Sequence, residues 1–193
     1  MREYNARIAP LEPGDAAGRR AAAELLISEF REAWPEAWPT RASAEDEVEQ
    51  ALAPEKIALA ALDADGALIG WIGGQPMYDG LVWELHPLVV DRAHQRRGIG
   101  RQLVGALETE LAARGALTIW VGTDDCAELT SLGGVDLYPD IASKLVSVAS
   151  ERGHPFGFYR ALGFSLAGVV PDANGPGKPD ILMAKRVAPT RAA

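Results

Sequence analysis

The chain has little cysteine: Cys126 is the only one in 193 residues, which excludes an internal disulfide and any cysteine-based metal cluster. It also has no apolar run approaching the roughly 18 residues that a helical membrane span needs. Its first residues, Met1 to Ile8, contain no apolar stretch leading to a small-residue cleavage site, so they do not read as a secretory signal and a cytoplasmic setting is expected. Basic residues are in deficit, with 19 Lys and Arg against 27 Asp and Glu and a net charge of −8. That balance argues against a nucleic-acid partner, because phosphate backbones are bound by clustered cations. It suits a cationic small molecule, which an acidic protein field attracts. The three histidines, His86, His94 and His154, have no metal-ligand spacing, and no metal is expected. Repeats, low-complexity blocks and dividing linkers are missing too. One domain over residues 1–187, followed by a frayed tail at 188–193, is therefore the expected organisation.

What is present reads as mixed helix and strand. Ala16 to Ala33 carries apolar residues at helical spacing and stops near Pro35, and Ser43 followed by acids looks like the cap of a second helix. Lys56 to Leu62 and Ala67 to Gly73 flank Asp63-Ala-Asp-Gly66, a hairpin signal. Leu81 to Val90 predicts a third strand, and Pro87 within it predicts a bulge, an edge or a splayed position. Gly98 to Arg114 is amphipathic, with Ile99, Leu103, Val104, Leu107 and Leu111 on one face. A strand over Leu117 to Thr123, helices near Asp140 to Ser150 and Pro155 to Leu162, and strands over Phe164 to Val170 and Asp180 to Arg186 complete the reading.

The segment richest in chemistry is Gln95-Arg96-Arg97-Gly98-Ile99-Gly100-Arg101, which follows the hydrophobic strand and opens the amphipathic helix. Glycines let backbone N–H groups approach an anion, the helix N-terminus adds a favourable dipole, and Arg96, Arg97 and Arg101 add countercharge. The alternative is a surface turn with solvated arginines. No Gly-Lys-Ser/Thr follows, and the spacing is not Gly-x-Gly-x-x-Gly, so neither a nucleotide P-loop nor a dinucleotide fingerprint is present.

Gln-x-x-Gly-x-Gly after a strand resembles the acetyl-CoA pyrophosphate turn of the GNAT superfamily of N-acetyltransferases. Three further stretches sharpen the likeness: Trp83-Glu84-Leu85-His86-Pro87-Leu88-Val89-Val90, Leu117 to Asp125, and His154-Pro155-Phe156-Gly157-Phe158-Tyr159 to Phe164. With Gly168 to Lys185 and Ala33-Trp34-Pro35-Glu36, they resemble the aminoglycoside 6'-N-acetyltransferases of the chromosomal, enterococcal type, from about Trp34 to Lys185. The resemblance implies an α/β (α+β) GNAT fold: a mixed, twisted sheet of six or seven strands flanked by helices and splayed between strands 4 and 5. It also implies acetyl-CoA as acetyl donor, an aminoglycoside 6'-amine as acceptor, and a homodimer.

The reaction needs a deprotonated amine, a stabilised oxyanion and a partner for the departing thiolate. The resemblance gives Glu84 the amine and its proton, directly or through water; the alternative is a strand carboxylate in a salt bridge. His86 has a suitable unperturbed pKa for a relay, or is a packing group. Leu88 would direct its backbone N–H at the thioester oxygen, Val90 would continue pairing with pantetheine, and Tyr159 would be the acid for the leaving thiolate. Gln95, Arg96, Arg97, Gly98, Gly100 and Arg101 would hold the pyrophosphate. From Thr123 to Ser143 there are acids but no Lys or Arg, so Asp124, Asp125 and Asp136, with Asp180, are candidates for holding ammonium groups. Trp34 is either an aromatic wall for the acceptor or a helix-end packing residue. Cys126 has no basic neighbour in sequence and no case as a nucleophile. Three readings compete with this one: the same transfer to a polyamine, small metabolite or peptide N-terminus; a non-catalytic acyl-CoA-binding module; and a nucleotide-binding module.

Overall fold

The computed structural model of the chain describes residues 4–32, 34–150 and 153–187. It is a mixed α/β protein with seven strands and five α-helices among those residues, and its contacts fall into two compact units. One unit runs to Ile119 and takes in Val187; the other spans Trp120–Arg186.

In the first unit, β1 (Arg7–Pro10), β2 (Ile57–Leu62), β3 (Leu68–Met77) and β4 (Val82–Val90) form a wholly antiparallel run in that order. The expected hairpin joins β2 to β3. Its turn is closed by Asp63, whose carboxylate accepts from the amides of Asp65 (2.9 Å) and Ala67 (2.8 Å). β3 runs four residues past the predicted end at Gly73. β1 was not anticipated: it is four residues long, ends in Pro10, and shows no apolar alternation.

Pro87 does mark a bulge. Ile72 pairs with Leu88 and Gly74 with Leu85, so His86 and Pro87 stand together against Gly73. A Cβ on Gly73 would lie 2.2 Å from the His86 carbonyl oxygen, so this close approach requires glycine.

Two helices cover one face of these strands. α1 (Ala16–Phe30) is capped by Asp15, which accepts from the Gly18 amide at 2.9 Å, and it ends three residues before the predicted Ala33, which lies outside the described residues. α2 (Arg41–Ala51) starts earlier than Ser43 suggested: Thr40 is the cap, and Ser43, at the third helical position, closes a reciprocal capping box with it. Leu26, Ala22, Ala44 and Val48 pack with Trp71 and Val89 in a buried cluster. The Trp71 indole donates to the Ala22 carbonyl at 3.1 Å, so its one polar atom is satisfied inside that cluster. α3 (Ile99–Ala113) buries the predicted stripe Ile99, Leu103, Val104, Leu107 and Leu111. Each such side chain contributes about 1.5–3 kcal/mol of burial.

In the second unit, β5 (Thr118–Asp124, its residues from Trp120 on), β7 (Asp180–Arg186) and β6 (Ser165–Val170) lie in the order β5-β7-β6, with β6 and β7 antiparallel. α4 (Ile141–Val146) is shorter than the predicted Asp140 to Ser150, and Ser150 instead forms an isolated bridge with Thr130. α5 (Pro155–Ala161) begins on a proline, whose missing N–H costs nothing at that position. Val121, Leu132, Leu137, Phe156, Phe164, Ile181 and Met183 are buried here. No helix among the described residues is long and apolar enough to cross a membrane.

Candidate active site

The basic turn between β4 and α3 is built to leave amide donors available. Gly98 caps α3 in a left-handed conformation (φ 89°) and supplies no side-chain cap, so the first-turn amides lack an intrahelical or capping partner. Arg96 is also left-handed (φ 61°), a conformation that costs an L-residue roughly 1 kcal/mol or more. Arg96, Arg97 and Arg101 are exposed and Gly100 is half-buried. Gln95 braces the turn: its amide donates to the Val90 carbonyl (2.9 Å) and to the Glu29 carboxylate (3.3 Å). The turn is tied further by the Tyr4 amide on the Arg97 carbonyl (3.1 Å) and the Gln102 amide on the Tyr4 carbonyl (2.6 Å). An anionic pyrophosphate fits this donor set of helix amides and guanidinium groups.

Along β4, Trp83, Leu85, Pro87 and Val89 are buried, whereas Glu84, Leu88 and Val90 are half-buried and His86 is exposed. Glu84 is held by Gln75, its register partner on β3, whose amide donates to it at 2.6 Å. Gln75 carries no motif, and only the β3–β4 register exposes its role.

His86 has partners that the sequence reading missed. Its Nε2 lies 3.6 Å from Glu47 Oε1 on α2, an ion-pair separation longer than an ordinary hydrogen bond. The Glu47 carboxylate is the main cause raising the His86 pKa, with Glu84 adding to it, and His86 in turn lowers that of Glu47. Trp38 completes the cluster, its ring 6.1 Å from the His86 ring and 4.8 Å from Phe30. Trp34 stands nearby in a shallow groove lined by Leu26, Phe30, Pro35 and Trp38. Trp38, which the sequence reading did not single out, is the aromatic ring beside His86.

In the second unit the acids divide into different roles. Asp125 is fully buried, and its carboxylate accepts from the Leu129 amide (2.6 Å), the Thr130 amide (2.9 Å) and the Thr130 hydroxyl (2.6 Å). It organises the loop and presents no charge to a ligand, contrary to the expectation for it. Asp136 is exposed, and one of its carboxylate oxygens accepts from the Tyr138 amide at 3.0 Å. Lys144 folds back onto the Asp136 carbonyl (2.7 Å), which sets a cation beside a stretch with none of its own. Asp124 and Asp180 are half-buried. The Asn174 amide donates to the Asp124 carboxylate, and the Asp124 carbonyl lies 3.0 Å from His154 Nε2. Cys126 has its thiol pushed up by burial and then by the neighbouring acids, which disfavours a thiolate.

Tyr159 is buried on α5 against Phe158 and Phe164, with ring centroids 5.0 and 5.3 Å away. Burial pushes its phenol well above the ordinary tyrosine value. Burial therefore favours the protonated phenol. Among the described residues no group of three or more His, Cys, Asp or Glu is disposed to hold a metal ion.

A strand running into a glycine-capped basic turn and helix, together with a carboxylate on the preceding strand, defines an acyl-CoA-type transferase site. In agreement, the profile of the acetyltransferase (GNAT) family matches residues 21–133, and the chain belongs to that family. Among solved structures it resembles an aminoglycoside 6'-N-acetyltransferase complexed with coenzyme A, with 41% identity, a TM-score of 0.88, and coverage of 96% of this chain and 99% of that one. The aminoglycoside 6'-N-acetyltransferase from Enterococcus faecium is similar at 41% identity and a TM-score of 0.85, over 96% of this chain and 99% of that chain. The ribosomal-protein-S18-alanine N-acetyltransferase from Escherichia coli shares the fold alone, at 19% identity and a TM-score of 0.63 over 98% and 99% of the two chains. No curated protein sequence matches.

Proposed function

We propose that this acetyltransferase moves the acetyl group of acetyl-CoA to the 6'-amine of aminoglycoside antibiotics and so confers resistance to them. The observation that carries the reading is the likeness, at 41% identity over 96% of the chain, to aminoglycoside 6'-N-acetyltransferases. The amine nitrogen attacks the thioester carbonyl carbon, the carbon–sulfur bond breaks, and the nitrogen loses a proton. Glu84, oriented by Gln75, takes that proton directly or through water. The Leu88 backbone N–H stabilises the carbonyl oxygen as it becomes an anion. His86 stands beside Glu47, whose carboxylate favours its charged form, and is the candidate relay at this surface.

Tyr159 hydrogen-bonds the departing sulfur. Burial keeps its phenol protonated, and the O–H donates toward the sulfur as the carbon–sulfur bond breaks. Arg96, Arg97 and Arg101 with the Gly98 and Gly100 turn hold the pyrophosphate, and Val90 pairs with pantetheine. Asp124, Asp136 and Asp180 hold acceptor ammonium groups, and Trp34 offers the acceptor an aromatic wall. The active form is a cytoplasmic homodimer with one catalytic domain over residues 1–187.

The test is acetyl-CoA-dependent thiol release on kanamycin or tobramycin against a matched compound with a 6'-hydroxyl. Turnover only with the 6'-amine is expected. Intact acetyl-CoA binding with no turnover on either compound would overturn the acceptor assignment and leave the donor assignment standing.

A further inference from the structure

His154 has no place in the chemistry above, yet it is almost fully buried, with only 3% of its surface exposed. Its Nδ1 accepts from the Phe156 amide at 3.1 Å, capping α5. An Nδ1 that accepts carries no hydrogen. In the neutral ring the proton is therefore on Nε2, which donates to the Asp124 carbonyl at 3.0 Å. One imidazole thus joins the first turn of α5 to the end of β5.

Capping alone does not call for histidine. Ser, Thr, Asp and Asn are the preferred helix caps, and each is shorter. What the imidazole adds is the distal nitrogen, which reaches the β5 backbone. α5 is only seven residues long and carries Tyr159 five residues after His154. The rings of Phe158 and Phe164 fix the tyrosine ring within its own neighbourhood, but neither residue is bonded to β5 by the hydrogen bonds that hold the helix start. A misplacement of about 1 Å at a reacting centre is enough to cost on the order of 100-fold in rate.

We propose that His154 is a positioning residue, which sets the Tyr159 hydroxyl for the leaving sulfur by tying α5 to the Asp124 carbonyl. The proposal rests on the role given to Tyr159. Its test separates the two bonds of the imidazole. His154→Asn retains an acceptor where Nδ1 stood and removes the reach to Asp124. His154→Gln retains a donor near the Nε2 position and loses the cap. Each is made alone and combined with Tyr159→Phe, and kcat and the KM for acetyl-CoA are measured by thiol release with kanamycin, alongside a thermal melt.

The expected result is a kcat roughly tenfold lower in His154→Asn, with KM for acetyl-CoA within about twofold of native. His154→Gln recovers most of the rate, and His154→Asn costs nothing further in the Tyr159→Phe background, because residues acting through one another are not additive. A native kcat in His154→Asn, or an equal loss in both backgrounds, overturns the proposal and leaves the Tyr159 role intact. A Tyr159→Phe enzyme as fast as native overturns the tyrosine role and the positioning claim with it. If His154→Asn does not fold, His154→Ser, a shorter acceptor without the reach, is read in the same way. Failure of both to fold makes the tether purely structural and overturns the proposal.

Discussion

Glu47 and His86 show how far a single side chain's meaning depends on what the fold puts beside it. From sequence His86 was a relay or a packing group, and Glu47 was only one of the acids that follow Ser43. Their 3.6 Å pairing, roofed by Trp38, follows from a contact between α2 and β4 that no local pattern encodes. The same holds for Gln75, which reaches Glu84 only because the β3–β4 register sets them opposite. The pair makes a pH-dependent contribution whose sign is fixed by the two shifts. His86 is raised, so its contribution is full below about pH 6.5 and fades as pH climbs through its folded value. Glu47 is lowered, so its contribution is full above about pH 4.5 and fades as pH falls through its folded value. Stabilisation is therefore greatest between those limits. It amounts to no more than about 1 kcal/mol, because the His86 side chain is 47% exposed and solvent screens the pair. In Glu47→Gln the His86 ring should titrate lower, toward its unperturbed value, when followed by NMR of the ring protons. An unchanged titration would remove Glu47 as the cause.

At the scale of elements, the sequence was most legible where physical chemistry is local. The α3 stripe, the Asp63–Gly66 hairpin and the bulge at Pro87 each follow from periodicity or from the limits of proline, and each was found in place. Elements held by distant partners were not legible: β1 pairs with β2 across some fifty residues of sequence, and α4 is cut short where Ser150 turns to bridge Thr130. The basic turn was legible as composition but not as conformation. Nothing in Gln-Arg-Arg-Gly says that Arg96 is left-handed or that Gln95 is spent on the Val90 carbonyl. That conformation separates stability from binding. Arg96→Gly relieves a left-handed L-residue and should hold stability level or raise it by up to about 1 kcal/mol, after the glycine's extra unfolded-state entropy is allowed for. The same change removes a cation from the turn proposed to hold the pyrophosphate and should weaken coenzyme A binding about three- to tenfold. Urea denaturation and calorimetric titration with coenzyme A check the two effects. A parallel fall in both would mean that Arg96 is needed chiefly to build the turn.

Across the whole molecule, the charge is unevenly spent. The chain carries −8, yet three arginines gather within Arg96 to Arg101, while Thr123 to Ser143 has acids and no Lys or Arg. The two proposed substrates have opposite charges, so the overall field helps one and opposes the other. A polycationic acceptor is drawn in by long-range attraction to the acidic protein, an effect that salt screens over a Debye length of about 10 Å at 0.1 M. A polyanionic donor feels local attraction to the basic turn and long-range repulsion from the rest, and salt weakens both at once. Raising ionic strength should therefore lower kcat/KM for a multiply charged aminoglycoside several-fold and change that for acetyl-CoA much less. Steady-state kinetics in sodium chloride, varied for each substrate in turn, measure this directly. If both specificity constants fall together, the acidic composition serves solubility alone, and acceptor selection rests on short contacts made after encounter.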